Sequence, residues 1–490
     1  MSMVDGLAST DLLAQGQVAE GQVAERDAPA DIADPLTLIV SSLEDRSPKG
    51  IAAAVHRLIR SERLQTGDRL PTVRVLAAAL SVSPATVSEA WQALGAVGAI
   101  QARGRAGTFV TQTAEPSRPI RYLGIGGPSE GEGVNLSTGT PDPALLPPLR
   151  DAVDRVVARS TSWTTSYLDE PVLPELEELL RSDWPFAPER LTVVDGALDA
   201  LSRIVDQVVR LGDRVAMENP GFPPLIDLLE RAGADILPLE LDDSGVTPRS
   251  MAVALARKPV AVFLQPRAQN PTGVSMTVER AAMLAAVLAD ARLGSRAVAV
   301  EDDHSGDIAT GEDVSLGRHL PERTVHIRSY SKSHGPDLRI AAVGGSAEII
   351  DPLVSRRMLG PGWTSRLLQS VLVELLTDPG AVAAVERARS MYAVRSLALR
   401  SGLARRGVKS TAGDGINAWV EVADERAALV ALAAHGIRVS PGGPFMVTEE
   451  PSRHVRVTTS MLDEEDPDEV AAVVQALSGA AGAEGILRGV

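Results

Sequence analysis

The sequence of 490 residues contains no cysteine, which removes disulfide scaffolds, thiolate zinc sites and cysteine nucleophiles together. It has no run of roughly eighteen apolar residues, so no membrane-spanning helix is expected. Residues 1–28 lack a basic segment followed by an apolar stretch, so no secretion leader is expected and a cytoplasmic location is. Lysine is nearly absent: Lys49, Lys258, Lys332 and Lys409 are the only four among 48 basic residues. What remains is balanced, 44% hydrophobic and 23% charged, too long for one ordinary core, so two or more domains are expected. A net charge of −16 argues against nucleic acid bound over the whole surface but leaves room for one basic module.

The charge is unevenly spread. Residues 1–48 carry nine acids against only Arg26 and Arg46, and they repeat Gly-Gln-Val-Ala-Glu from Gly16 and from Gly21. Such a polar, acidic stretch cannot offset its ordering entropy, so residues 1–33 are expected to be a disordered tail, with Leu36–Val40 beginning a short helix. From Lys49 to Val110 eight bases face three acids (Glu62, Asp68, Glu89), a charge of +5 that leaves −21 for the rest of the chain. Residues 111–133, rich in Gly, Ser, Pro and Glu, read as an interdomain linker. Beyond them, β-rich runs at Val215–Met217, Val260–Leu264, Ala297–Val300 and Thr324–Ile327 alternate with helical patterns. That spacing predicts βαβ units and a mostly parallel sheet.

Three helices can be placed in the basic module. Ile51, Val55, Leu58 and Ile59 line the first; Thr72 caps a second whose apolar set is Val73, Leu76, Ala77 and Leu80. Ser83, with Pro84 at the first helical position, opens a third that buries Val87, Ala90, Trp91 and Leu94. Its free face shows Ala85, Thr86, Ser88, Glu89 and Gln92, side chains able to approach base edges. Ala99 to Val110 then reads as two strands joined by a tip carrying Arg103 and Arg105. Helix, turn, helix and basic wing make a DNA-binding constellation, although winged helices also serve as protein-interaction modules. The run Leu64 to Ala77 followed by Val82-Ser-Pro-Ala-Thr-Val87 resembles the winged-helix domain of GntR-type transcription regulators. Residues 34–110 are therefore expected to form that domain, with Pro84 standing where the family usually has arginine. The expected DNA contacts are Arg74, Arg103 and Arg105 to phosphate or minor groove, and Ser83, Ala85, Thr86 and Ser88 on the recognition helix.

In a chain that draws its positive charge from arginine, a lysine directly after a strand stands out. Lys332 occupies such a place in Ile327-Arg-Ser-Tyr-Ser-Lys332, and only a primary amine can form a Schiff base. The other three lysines read as solvated surface residues. Pyridoxal phosphate (PLP) held this way also needs a carboxylate for its ring nitrogen, a donor to its ring oxygen, a phosphate cup and a stacking partner. Candidates exist for each: Asp302 and Asp303 after Ala297–Val300, Asn270 in Asn270-Pro-Thr-Gly273, Gly196-Ala197-Leu198 at a helix start, and Phe222. Taken singly, these also read as a cap, a turn, an ordinary helix start and a core ring.

Their order and spacing, with Ser329 and Arg339, resemble the fold-type-I aminotransferases across residues 134–490. The resemblance implies an α/β domain with a large, mostly parallel sheet and a smaller α+β subdomain at about residues 376–490. It implies that Lys332 holds the cofactor, Asp302 pairs with the ring nitrogen, Asn270 donates to the ring oxygen and Phe222 stacks. It further implies a phosphate cup of Gly196, Ala197, Leu198, Ser329 and Arg339, and Arg456 as the grip on a substrate or effector carboxylate. Arg456, between Val455 and Val457, reads equally as a polar outer position of a strand. His304 falls where many relatives have tyrosine near the ring oxygen, and a titratable imidazole there implies a pH-sensitive cofactor linkage.

A GntR-like winged helix joined by a linker to an aminotransferase-like domain is the arrangement of the MocR family of transcription regulators. The segments Gln265 to Gly273, Glu301 to His304 and Ser331 to Arg339 look like its PtsJ-like branch, which regulates vitamin B6 salvage. The resemblance implies a regulator that binds double-stranded operator DNA, senses PLP or a small amino compound, and forms a head-to-tail homodimer. No metal is expected, and transaminase activity is expected to be weak at most. The alternative is a working aminotransferase with an accessory winged helix.

Overall fold

The computed structural model describes residues 34–43, 45–61, 63–96, 99–111, 120–125, 133–159, 166–167, 169–293, 295–411, 413–448, 450–463 and 466–482. The expected acidic tail, residues 1–33, lies outside them. Among the described residues no single helix is long and apolar enough to cross a membrane.

The N-terminal domain begins with α1 (Pro35–Ser41), whose Leu38 and Ile39 are buried against α2 (Pro48–Arg60). Thr72 caps α3 (Val73–Leu80) by accepting from the Val75 amide, and Ser83 accepts from the Thr86 amide at the head of α4 (Pro84–Ala96). Ser81 takes the left-handed conformation at the end of α3, φ 57°, and so turns the chain sharply between the two helices. The apolar stripes expected from the sequence, including Ile51, Val55, Leu76, Leu80, Val87, Trp91 and Leu94, meet in one core. A hairpin of β1 (Ile100–Ala102) and β2 (Thr108–Val110) closes the domain as the wing. The Lys49 ammonium pairs with Asp213 of the large domain, and Leu211 packs on the winged-helix core.

The expected linker is not wholly irregular. Residues 120–124 form a short helix, α5 (Ile120–Gly124), packed against the large domain helix Pro223–Ala232. Next comes β3 (Val134–Leu136), which joins a distant sheet.

The large domain holds an eight-stranded sheet. In chain order its strands are β4 (Arg190–Val194), β5 (Arg214–Asn219), β6 (Asp235–Asp242), β7 (Gly245–Val246), β8 (Ala261–Leu264), β9 (Val298–Asp303), β10 (Thr324–Ser329) and β11 (Ala341–Gly345). Their spatial order is β4-β11-β10-β9-β8-β5-β6-β7, with β10, β9, β8, β5 and β6 mutually parallel and β11 antiparallel to both its neighbours. Helices Ala197–Val208, Pro223–Ala232 and Ala347–Met358 cover one face, and Pro248–Ala256 with Val278–Ala289 the other. With both faces covered, β8 is apolar throughout and β9 opens on Val298, Ala299 and Val300. β9 runs beyond the apolar run at 297–300 that marked it in the sequence, so Asp302 and Asp303 are within the strand.

The smaller domain has the sheet order β12 (Asn417–Glu421), β14 (His454–Thr458), β13 (Ile437–Pro441) and β3. Helices Pro379–Arg405, Glu425–Ala434 and Pro467–Ala481 pack on it. The subdomain therefore draws on residues 134–136 as well as the C-terminal region, because β3 pairs in parallel with β13 from Val134 opposite Ile437.

Candidate functional site

The C-terminal ends of β5, β8, β9 and β10 open on one side of the large sheet, the usual location of sites in open parallel sheets. Lys332 follows β10 and is half-buried, its amine donating to the Gly139 carbonyl at 2.6 Å. Burial, with the Arg456 cation nearby, pushes Lys332 down to about 8, against the pull of Asp302. A lysine so held has a large neutral fraction near pH 8, the form that attacks a carbonyl.

Asp302 is 3% exposed. Its Oδ2 accepts from the Gln265 amide at 2.8 Å, while its Oδ1 has no hydrogen-bond partner among the described residues. Burial raises the carboxyl to about 6, partly offset by the Gln265 bond. An unpaired buried carboxylate oxygen needs a donor, and a protonated ring nitrogen supplies one. Gln265 also ties this group to the next: its Oε1 accepts from the Asn270 amide at 2.9 Å. Phe222, Glu218, Gln265 and Asp302 line a common cavity.

The helix start at Gly196-Ala197-Leu198 lies beside Arg339. Gly196 has φ +102°, a conformation that side-chain-bearing residues rarely adopt, and the Arg339 guanidinium lies 2.8 Å from where a Cβ would stand. Arg339 donates to the Asp195 carbonyl at 2.8 Å, and Ser329 ends β10 close by. A helix N-terminus with an arginine across it is a cradle for phosphate. The unpaired Asp302 oxygen and this cradle fit PLP, the cofactor of this fold.

Arg456, in the middle of β14, is 2% exposed, so it is not an outer strand position. It donates to the Ser440 hydroxyl at 3.1 Å, the Asn270 side-chain carbonyl at 3.4 Å and the Ser137 carbonyl. No carboxylate pairs with it among the described residues, and burial pushes it down to about 9. A buried guanidinium with only neutral partners is a ready anion site.

His304 differs from the expectation of a titrating imidazole. Its Nε2 bonds the Ala268 carbonyl at 2.9 Å, and burial pushes it to about 4, so the ring stays neutral across the physiological range. The adjoining Asp303 faces the Arg267 guanidinium. Burial opposes its ionisation, but Arg267, His326 and Arg328 outweigh that and hold it at about 2. Ligand atoms of Asp303, Asp313 and His326 lie within 4.8 Å of one another, yet Arg267 and Arg328 already take the two carboxylates.

Sequence reasoning missed four residues here: Gly139, Glu218, Gln265 and Gln269. Glu218 accepts from the Gln265 backbone amide and the Gln269 side chain, and burial pushes it up to about 8. The only signal was the pair of glutamines preceding Asn270.

On the winged helix, Ser83, Ala85 and Arg74 are exposed, and Thr86 and Ser88 are half-exposed on α4. The Ser83 and Thr86 hydroxyls share a 2.8 Å hydrogen bond, so capping occupies part of their capacity. Arg103 lies over the Phe109 ring, and the side chain of Arg105 lies outside the description. Arg69, counted only as charge in the sequence, pairs its backbone with Phe109 and lays its guanidinium beside Gly107 in the wing.

Comparisons agree with both halves. The family model for aminotransferase class I and II matches residues 131–474, and that for bacterial regulatory proteins of the gntR family matches residues 48–110. The vitamin B6 salvage pathway transcriptional repressor PtsJ of Salmonella typhimurium is 34% identical over 442 residues, 89% of this chain and 100% of that protein. The HTH-type transcriptional regulator TauR of Rhodobacter capsulatus is 26% identical, over 84% of this chain and 92% of its own. In fold, residues of this chain superpose on LysN, the α-aminoadipate aminotransferase of Thermus thermophilus, with a TM-score of 0.64 at 23% identity, covering 74% of this chain and 95% of that one. Pyrococcus horikoshii kynurenine aminotransferase gives 0.66 at 20% identity, with coverage of 76% and 96%. The chain belongs to the MocR family of transcription regulators, in which a DNA-binding GntR-type winged helix is fused to an aminotransferase-like, PLP-binding domain.

Proposed function

We propose that this regulator binds operator DNA through its winged helix and adjusts that binding to PLP, or to an amino compound that reacts with it, in the aminotransferase-like domain. The observation that carries the reading is a half-buried lysine close to both a buried carboxylate with one oxygen unpaired and an arginine with no anionic partner, among the described residues. In this reading Lys332 holds PLP, which supplies an electrophilic carbonyl for amines. Asp302 takes the ring nitrogen, Asn270 and the neutral His304 stand at the ring-oxygen edge, and Phe222 stacks. Gly196, Ala197, Leu198, Ser329 and Arg339 take the phosphate, and Arg456 takes the effector's carboxylate.

On DNA, Arg74, Arg69, Arg103 and Arg105 contact the backbone or minor groove, while Ser83, Ala85, Thr86 and Ser88 face base edges. The protein works in the cytoplasm as a head-to-tail homodimer, reading two direct or inverted half-sites. The role of its PtsJ relative supports genes of vitamin B6 or amino-acid metabolism as targets. Residues 1–33, 34–110, 111–133 and 134–490 are the tail, winged helix, linker and sensor.

The test pairs two assays on one preparation: sequencing of the genomic DNA that the protein retains, and amino transfer from a panel of amino donors to a keto acid. A regulator enriches a defined site and completes no more than a few turnovers. Multiple-turnover transfer without site enrichment would instead support the enzyme with an accessory winged helix.

A further inference from the structure

The short helix α5 is fixed across the junction of the large and small domains. Arg121 donates to Glu230 at 2.8 Å on the large domain's helix Pro223–Ala232, and to the carbonyls of Met446 at 2.7 Å and Pro444 at 3.5 Å in the small domain. Its backbone amide is bonded to Asp227 at 3.3 Å. One residue past the helix, Ile125 is buried with Trp419 and Phe445.

These contacts lead to the pocket by two short routes. The Ser440 hydroxyl donates to the Ile125 carbonyl at 2.6 Å, and the same oxygen accepts from Arg456 at 3.1 Å. The Phe445 ring lies 5.2 Å from the Arg456 guanidinium, while its carbonyl accepts from the Gly221 amide at 2.9 Å, next to Phe222. A second bond, from the Val447 amide to Asn219 at 2.9 Å, ties the same loop to the end of β5.

We propose that α5 is a positioning element of the ligand site: Arg121 pins it across the two domains, and Ile125, through Ser440 and Phe445, sets Arg456 for a carboxylate. The segment that leaves the winged helix thus forms part of the support of the effector site. Occupancy of Arg456 and anchoring of α5 are then linked, and each must affect the other equally. The proposal rests on Arg456 being the carboxylate grip.

The test compares two non-covalent probes on the full-length, cofactor-free protein. Pyridoxamine phosphate carries the ring and phosphate; N-(5′-phosphopyridoxyl)glycine adds a carboxylate. The ratio of their dissociation constants isolates the carboxylate's contribution. Wild type is expected to prefer the glycine adduct, and Arg121→Gln is expected to cut that preference by about five-fold or more while pyridoxamine phosphate affinity changes by less than about two-fold. Ser440→Ala, which removes the relay without touching Arg121, should act in the same direction. Glu230→Gln should give a smaller loss, since the carbonyl bonds of Arg121 remain.

A wild-type preference that Arg121→Gln and Ser440→Ala both leave intact would overturn the role of α5 alone. Equal loss of both probes would also overturn it, since that marks general damage to the pocket. A wild-type ratio near one would sink the Arg456 assignment and this proposal with it. None of these outcomes depends on whether DNA affinity responds to ligand, so failure of the sensing function is seen separately.

Discussion

Replacing Arg456 by methionine should leave the stability of the cofactor-free protein nearly unchanged while abolishing its preference for carboxylate ligands. A guanidinium that burial holds at about 9, well below its ordinary value, carries a folding penalty on the order of 5 kcal/mol at neutral pH, at about 1.4 kcal/mol per pH unit. Folding disfavours the charged form, so the penalty is full below pH 9 and fades only as pH climbs above it. Arg456→Met removes it and fills a similar volume. Against this stand the lost charge-assisted bonds to Ser137, Ser440 and Asn270, about 1.5 kcal/mol each at the low end, and the contact with Phe445, roughly 0.5–1 kcal/mol. The two sides nearly cancel, so scanning calorimetry at pH 7 should show a melting point that moves by no more than a few degrees. The carboxylate preference should drop by at least about ten-fold, the loss of a charge-assisted hydrogen bond. A melting point lowered by several degrees, with the carboxylate preference intact, would make Arg456 a structural hub and not a carboxylate site.

Other consequences follow from the same geometry. Borohydride should trap a pyridoxyl adduct on Lys332, located by peptide mass spectrometry, and Lys332→Ala should lose it; an adduct on Lys258 or Lys409 would contradict the assignment. Since burial places Asp302 at about 6 and only its ionised form pairs with a protonated ring nitrogen, PLP affinity should fall as pH drops through about 6. Gln265→Leu removes the bond that opposes that rise, so the decline should begin at higher pH in a fluorescence titration. An unchanged pH profile would count against the Gln265 link. On DNA, Arg69→Ala with Arg103→Ala should lower the salt slope by about two units at unaltered sequence preference, whereas Thr86→Val should change the preference. Unchanged salt dependence would remove the wing from the interface.

The winged helix was legible because its signals are local. Thr72 and Ser83-Pro84 mark helix starts by capping chemistry, and the stripes between them have helical period. Lys332 stood out for a compositional reason, the scarcity of lysine. What stayed hidden depends on distant partners. Asp302 and Asp303 look like the polar end of a strand until Gln265 and Arg267 are seen to receive them inside the fold. β3 is a short strand and gains its meaning only from β13, far away in the chain. α5 sits in a stretch whose glycines and prolines read as linker, and its order comes from Arg121 reaching Glu230 and the carbonyls of Pro444 and Met446. The neutrality of His304 is likewise a product of burial, which a sequence position does not reveal.

In the proposed regulation, occupancy of the Lys332 pocket changes DNA affinity. It is tested most directly by fluorescence-anisotropy titration of operator DNA at fixed salt, with and without PLP, on wild type and on Lys332→Ala. Wild type should show a shift of about five-fold or more, the lower end of typical allosteric couplings. In Lys332→Ala that response should be blunted with basal DNA binding kept, because Lys332 lies outside the winged helix. Identical wild-type curves in the two states, with PLP verified on Lys332, would contradict it.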